Sequence, residues 1–199
     1  MKYKNIKLSG LDQNNEFEND LIRGVSELAE ATGLKLSDAK NSVTVNAKKG
    51  SCLSVKLENG KIELVYPSKV GFFRALSFVP AVIGGCDAVY EEATRADDML
   101  CYMGDMSRNA VYNLPSAKRM IRYLALMGYT SLMLYTEDTY EIPEYPYFGH
   151  MRGRFTKEEL REIDDYAFMF GIEVIPCVQA LAHLTTALRW PDFRGYKDT

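Results

Sequence analysis

Residues 99–178 alternate between two periodicities, and that alternation limits the chain to a small set of folds. Met99–Met106 is an apolar strand candidate. Asn113-Leu-Pro-Ser then opens a helix that runs to Met127, with Pro115 tolerated in its first turn. Met120, Ile121, Leu124 and Met127 recur at helical spacing along it. Gly128 closes the helix, and Ser131–Tyr135 reads as a buried strand. Thr156 and Glu159 form a capping box ahead of a second helix, which carries Leu160, Ile163, Ala167 and Phe170 and stops at Gly171. Ile172–Pro176 is the third strand. The order β-α-β-α-β, with connections as short as residues 128–130, predicts parallel strands joined by crossover helices.

Two architectures share that order, an open doubly wound sheet and a closed (β/α)8 barrel. No glycine-rich phosphate loop follows the first strand, which argues against a dinucleotide-binding sheet. The residues best suited to chemistry all come just after strand ends: Arg108 after the first, Glu137 and Asp138 after the second, His183 after the third. A (β/α)8 barrel builds its site at that rim. The expected fold class is therefore α/β: a small α+β N-terminal domain, residues 1–95, followed by about three strands of an incomplete (β/α)8 (TIM) barrel, residues 96–199.

The first half predicts a sheet with helices on one side. Ile6–Leu8 is a short strand. Asn19 or Asp20 caps a helix over residues 21–32, with Leu21, Val25, Leu28 and Ala29 on one face and Gly33 just past its end. Val43 and Val45 alternate with polar residues, as do Cys52–Leu57 and Ile62–Tyr66. Asn59-Gly60 between the last two is a hairpin turn. Ser68 opens a helix through Phe72, Phe73, Leu76 and Val79 that the Pro80 region ends. No convergent polar cluster in this half suggests chemistry, so it reads as a structural module. Glu91–Asp98, charged and poor in apolar residues, reads as the linker.

Charge and cysteine usage exclude other classes. The net charge is −3 and the pI about 5.5, so there is no basic field for nucleic acid or anionic lipid. Neither nucleic acid nor a membrane is an expected partner. Cys52, Cys86, Cys101 and Cys177 are scattered, without metal or disulfide spacing, and are expected to be reduced and mostly buried. Only two histidines are present, His150 and His183, too few for a histidine cage. MKYKNIKLSG lacks the apolar run of a signal peptide, which points to a cytoplasmic location. No metal or organic cofactor is implied.

The segment MGDMSRNAVYNLPSAKRMIRYLALMGYTSLMLYTEDTYE, followed by YPYFGHMRGRFTKEELREIDDYAFMFGIEVIPCVQALAHL, resembles the start of the catalytic barrel of glycoside hydrolase family 20, the β-N-acetylhexosaminidases. The resemblance is specific over residues 98–190. It rests on the arginine after the first strand, the Thr-Glu-Asp after the second, and Ile-Pro followed seven residues later by histidine after the third. It implies that Arg108 binds hydroxyls of a terminal N-acetylhexosamine, a task that suits a rigid fork of N–H donors. It also implies that an acid after the second strand pairs with His183 to support the catalytic acid. The family usually carries Asp where this chain has Glu137, so either Glu137 or Asp138 takes that role. A salt-bridging arginine, a capping acid and a packed histidine are the structural alternatives. Before its histidine the chain also carries Cys-Val-Gln-Ala-Leu-Ala where the family has an acidic, glycine-containing run.

The loop after the second strand is rich in rings. Tyr135, Tyr140, Tyr145, Tyr147 and Phe148 either line a sugar site or pack against the rim. Arg152, Arg154 and His150 in the same loop either hold it down or face an anionic substrate.

The family's reaction is retaining and uses the substrate's own acetamide as nucleophile, with an adjacent Asp-Glu pair at the fourth strand. This sequence contains no Asp-Glu dipeptide. The expectation is thus an N-terminal portion of an exo-β-N-acetylhexosaminidase, inactive alone, whose partner is an N-acetylhexosamine-terminated glycan. Self-association through the cut barrel edge is expected. The competing readings are a non-catalytic carbohydrate-binding or regulatory protein that retains part of a barrel, and another barrel hydrolase with a different acid pair.

Overall fold

A computed structural model of the chain describes residues 4–86, 90–92, 99–108 and 110–197. Two sheets face each other across a double layer of helices. The first sheet contains β1 (Lys4–Ser9), β2 (Leu34–Leu36), β3 (Val43–Lys49), β4 (Leu53–Glu58), β5 (Lys61–Tyr66) and β6 (Tyr90–Glu92), in the order β2-β1-β3-β5-β4-β6. β1 pairs in parallel with β2 and β3, and β3 with β5, while β4 runs antiparallel to β5 and β6. Asn59 and Gly60, both at positive φ (51° and 75°), make the β4–β5 turn that their sequence predicts.

Beneath this sheet lie α1 (Glu16–Glu27), the short α2 (Ala29–Thr32), α3 (Lys69–Leu76) and α4 (Val79–Ile83). Leu21, Val25 and Leu28 are buried on α1 and its end, and Phe72, Phe73 and Leu76 on α3. Gly33 ends the first pair at φ 70°.

Several boundaries differ from the sequence reading. Asn15, not Asn19 or Asp20, caps α1, accepting a hydrogen bond from the Glu18 amide at 3.2 Å. Asp20 lies inside the helix and turns inward to Lys69, 2.6 Å away. Pro80 opens α4 rather than ending α3, because its missing N–H falls in a first turn that needs none. β2 and β6 are strands that no alternation marks, each being three residues long. β6 also takes Glu91 and Glu92 out of the expected linker; residues 93–98, and with them the boundary near residue 95, lie outside the described residues. The cysteines are not mostly buried: Cys52 and Cys86 are exposed, Cys101 and Cys177 partly so.

The second sheet is β7 (Cys101–Asp105), β8 (Ser131–Thr136) and β9 (Glu173–Val178), all parallel in that order. α5 (Leu114–Met127) crosses from β7 to β8 and α6 (Lys157–Met169) from β8 to β9. Asn113 caps α5, Gly128 ends it at φ 82°, and both arms of the Thr156–Glu159 capping box are formed. Leu132 and Leu134 are buried among the helices, so alternation places Met103, Met133 and Ile175 in one row on the opposite face.

The helices of the two sheets share one core. Rings run edge to face from Tyr66 to Phe72 (5.3 Å), Phe73 (5.2 Å), Phe170 (4.8 Å) and Tyr166 (5.3 Å). α1 approaches this run so closely that a Cβ at Gly24 would lie 2.3 Å from the Phe73 ring. Polar groups border the seam. The Tyr166 hydroxyl donates to Glu27 (2.8 Å) and accepts from Arg122 (3.0 Å), and Lys69 lies 4.3 Å from the Phe168 ring centroid.

Phe73→Ala is expected to cost about 3–5 kcal/mol as a core cavity, and Gly24→Val about 1–3 kcal/mol as overpacking. Hydrogen exchange should then show β3 and β8 losing protection together. Retention of β8 protection while β3 opens would contradict a shared core.

Candidate functional site

The C-terminal ends of β7, β8 and β9 present the chain's convergent polar groups. Register aligns Asp105, Tyr135 and Cys177 across the three strands, on the face opposite the helices. The turns that follow carry Arg108, Glu137 and Asp138, and His183.

The turn after β7 is built around Asp105, which the sequence reading passed over. The backbone amide and hydroxyl of Ser107 donate to one Asp105 oxygen at 2.8 and 2.7 Å. Arg108 donates to the other at 2.5 Å. The Ser107 hydroxyl, above all, holds the Asp105 carboxyl down at about 2, with the Ser107 amide and Arg108 adding to the effect. Arg108 is in turn raised by Asp105. Its guanidinium lies 5.4 Å from the Tyr135 ring centroid, and its side chain is 62% exposed, so the fork stays open to a ligand. An acid three residues before an arginine in a strand-end turn is the signal that would have marked Asp105.

The turn after β8 separates its two acids. Glu137 Oε1 lies 3.9 Å from His183 Nδ1. Asp138 points the other way: its side chain is 2% exposed, and Arg152 lies 3.3 Å from Oδ1. Glu137 is therefore the acid nearer His183, while Asp138 turns toward Arg152. Adjacent residues leaving a strand project to opposite sides, so only one of them faces the rim. At that separation the two are within ion-pair reach but make no direct hydrogen bond. His183 has φ 59°, a left-handed backbone that costs roughly 1–2 kcal/mol for a residue with a Cβ.

The rings in the following loop make contacts with residues 185–196, and Tyr145 and Tyr147 remain exposed. Phe148 is buried with Ala187 and Phe193, and Tyr140 packs on the same cluster. Burial, helped by Asp138, raises the Tyr140 phenol. Tyr145 sits against Phe193 (5.7 Å), and Tyr147 and His150 against Trp190 (5.5 and 5.1 Å). Tyr135, on the strand itself, is the ring that stays beside Arg108. Arg152 and Arg154 hold the loop down: Arg152 donates to the Ser107 carbonyl, and Arg154 to those of Phe148 and Pro146. The packing partners come from residues 185–196, too distant in sequence for the loop alone to reveal them.

A groove of about 610 Å³ lies away from this rim, between α1 and α6, lined by Asp20, Glu27, Lys118, Glu162 and Tyr166 among others. Within it Asp20 pairs with Lys69 and Arg23, and Glu162 with Lys118, while Glu27 lies 3.9 Å from Arg122. Among the described residues no group of three or more His, Cys, Asp or Glu is placed to hold a metal.

No sequence-family profile matches this chain, and no curated protein matches it by sequence. Solved structures do match. The family 20 exo-β-N-acetylglucosaminidase of Vibrio harveyi, bound to N-acetylglucosamine, matches with a TM-score of 0.63 at 17% identity, over 88% of this chain and 32% of its own. The Streptomyces plicatus N-acetyl-β-hexosaminidase matches with a TM-score of 0.67 at 18% identity, over 94% and 44%. The β-N-acetylhexosaminidase of Bacteroides fragilis gives 0.68 at 18%, over 95% and 43%. The fold is thus that of part of a family 20 hexosaminidase, including part of the TIM barrel. This chain spans about a third to somewhat under half the length of the enzymes it matches.

Ser107→Ala should raise the Asp105 carboxyl from about 2 toward the ordinary 3.8. A carboxyl lowered by folding adds stability above its unfolded value, and that stability is lost as pH falls through the folded one. The window is therefore about pH 4 down to about pH 2. Carboxyl NMR titration checks this; an unchanged Asp105 in the variant would rule out the Ser107 hydroxyl as the chief cause.

Proposed function

We propose that this chain is part of an exo-acting β-N-acetylhexosaminidase that removes terminal N-acetylhexosamine from glycans. The observation that carries the reading is the approach of Glu137 to His183 and an open Arg108, on turns that follow neighbouring parallel strands whose fold is that of family 20 hexosaminidases. In this reading Arg108 grips vicinal hydroxyls of the terminal sugar with two N–H arms, and Tyr135 offers a flat ring beside it. Glu137 orients His183, and His183 supports the acid that protonates the glycosidic oxygen.

The proposed reaction is retaining and substrate-assisted. The acetamide oxygen of the sugar attacks the anomeric carbon as the bond to the leaving oxygen breaks, and that oxygen takes a proton from the acid. The resulting oxazolinium ion is then opened by water, whose proton returns to the same residue. An Asp that aligns the acetamide and an adjacent Glu that moves the proton are required, and the 199 residues contain no Asp-Glu. Those groups come from outside this sequence, so the chain alone binds sugar and does not turn it over. The missing dipeptide equally favours a second reading, a carbohydrate-binding protein without catalysis. The two differ in whether the gene product with its downstream coding sequence hydrolyses an aryl β-N-acetylglucosaminide.

Titration with N-acetylglucosamine should shift the Arg108 and His183 NMR signals, and Arg108→Met should weaken binding about tenfold, or about 1.4 kcal/mol. Glu137→Gln should move the His183 ring signals in ¹⁵N spectra, and unchanged signals would count against the pairing. Both readings fail if wild type and Arg108→Met respond alike to millimolar sugar.

We further propose that the chain self-associates. Among the described residues β7 and β9 each keep one edge unpaired, and Met103 (57% exposed) and Val178 (53%) lie on them. Sedimentation velocity should show mass rising with concentration, and less so in Met103→Lys/Val178→Lys. A monomer at every concentration would refute it.

A further inference from the structure

Arg152 touches two rim turns at once. One guanidinium nitrogen lies 3.3 Å from Asp138 in the turn after β8, and the other donates to the Ser107 carbonyl in the turn after β7. From Ser107 the path continues through the two bonds to Asp105 and from Asp105 to Arg108. A line of polar contacts, Asp138–Arg152–Ser107–Asp105–Arg108, thus crosses from one strand end to the next.

The loop is shaped to bring Arg152 back to this position. Gly149 has φ 68° and lies so close to the Asp138 carbonyl that a Cβ there would be 2.1 Å from the oxygen. Arg154 fixes the same loop through backbone carbonyls and through Glu141, 3.5 Å away. Arg152 is itself 20% exposed, well below Arg108. Asp138 depends on it. The carboxylate is buried, and neither oxygen has a hydrogen bond among the described residues, so Arg152 is the cation described beside it. A buried charge left alone is strongly destabilising.

We propose that Arg152 is a positioning residue for the rim. By matching Asp138 with one arm it draws that acid inward and leaves Glu137 to His183. By holding the Ser107 carbonyl with the other it sets the turn in which Asp105 aims Arg108. Guanidinium suits this task because its arms diverge in a fixed plane; a lysine ammonium supplies the charge but not the second, directed arm. The role rests on the proposed sugar site only for what Arg108 is aimed at.

The test uses Arg152→Lys and the double variant Asp138→Asn/Arg152→Met. The double variant leaves no buried charge alone, so it folds even if Arg152→Met by itself does not. Two readouts are taken on the same samples: the Asp105 carboxyl signal from about pH 6 to about pH 3, and N-acetylglucosamine titration of the Arg108 side-chain signal. Asp105 is faced by Ser107 and Arg108 from its own turn and by Tyr135 across the sheet. Wild type should stay ionised through the range, since its carboxyl titrates at about 2. Both variants should begin to protonate within it and bind the sugar about tenfold more weakly. Arg152→Lys should recover thermal stability without recovering the Asp105 titration, which separates aiming from charge matching. Asp105 behaving as wild type in both variants would overturn the proposal, whatever the sugar does. If Asp105 responds but wild-type Arg108 never shifts with sugar, the positioning role stands and the hexosaminidase reading falls.

Discussion

The contact between Phe73 and Phe170 joins what are otherwise two α/β layers. Phe73 comes from a helix under the first sheet and Phe170 from the end of a helix over the second, with ring centroids 4.8 Å apart. Around them, Gly24 admits α1, and Tyr66, Phe72 and Tyr166 extend the run to both sides. Interiors pack like crystals, so neither helix pair can shift without opening voids in the other. The three parallel strands are thereby backed by a core much larger than their own two crossover helices supply. That backing fixes the direction of β7, β8 and β9, and with it the place where their rim turns emerge.

On the rim, geometry is set by charge more than by apolar packing. Asp105 and Arg108 fix each other within one turn, Arg152 ties that turn to the next, and Glu137 turns to His183. Because exposed ion pairs are individually weak, the arrangement depends on being linked and partly buried, as at Asp138. The opposite sheet face carries Met103, Met133 and Ile175 in one row.

The elements legible in advance were those whose signals are local. The capping box at Thr156–Glu159, the Asn59-Gly60 turn and the helix ends at Gly33 and Gly128 are each set by a few adjacent residues, and each formed as read. β2 and β6 were not legible, since three residues carry no periodicity and take their strand state from their neighbours. The α1 cap was misplaced because several Asn and Asp residues precede the helix, and only packing against Lys69 turns Asp20 inward.

The sequence alone determined the α/β class, the parallel order of the second half and the positions of Arg108, Glu137, Asp138 and His183 after strand ends, because periodicity and capping are short-range properties of the chain. Only the tertiary structure decided which acid lies nearer His183, that Asp105 pairs with Arg108 while Arg152 holds the Ser107 carbonyl of the same turn, and that the loop rings meet residues 185–196. Each of those depends on residues tens of positions apart brought within a few ångströms, a proximity that the folded core creates and no local pattern records.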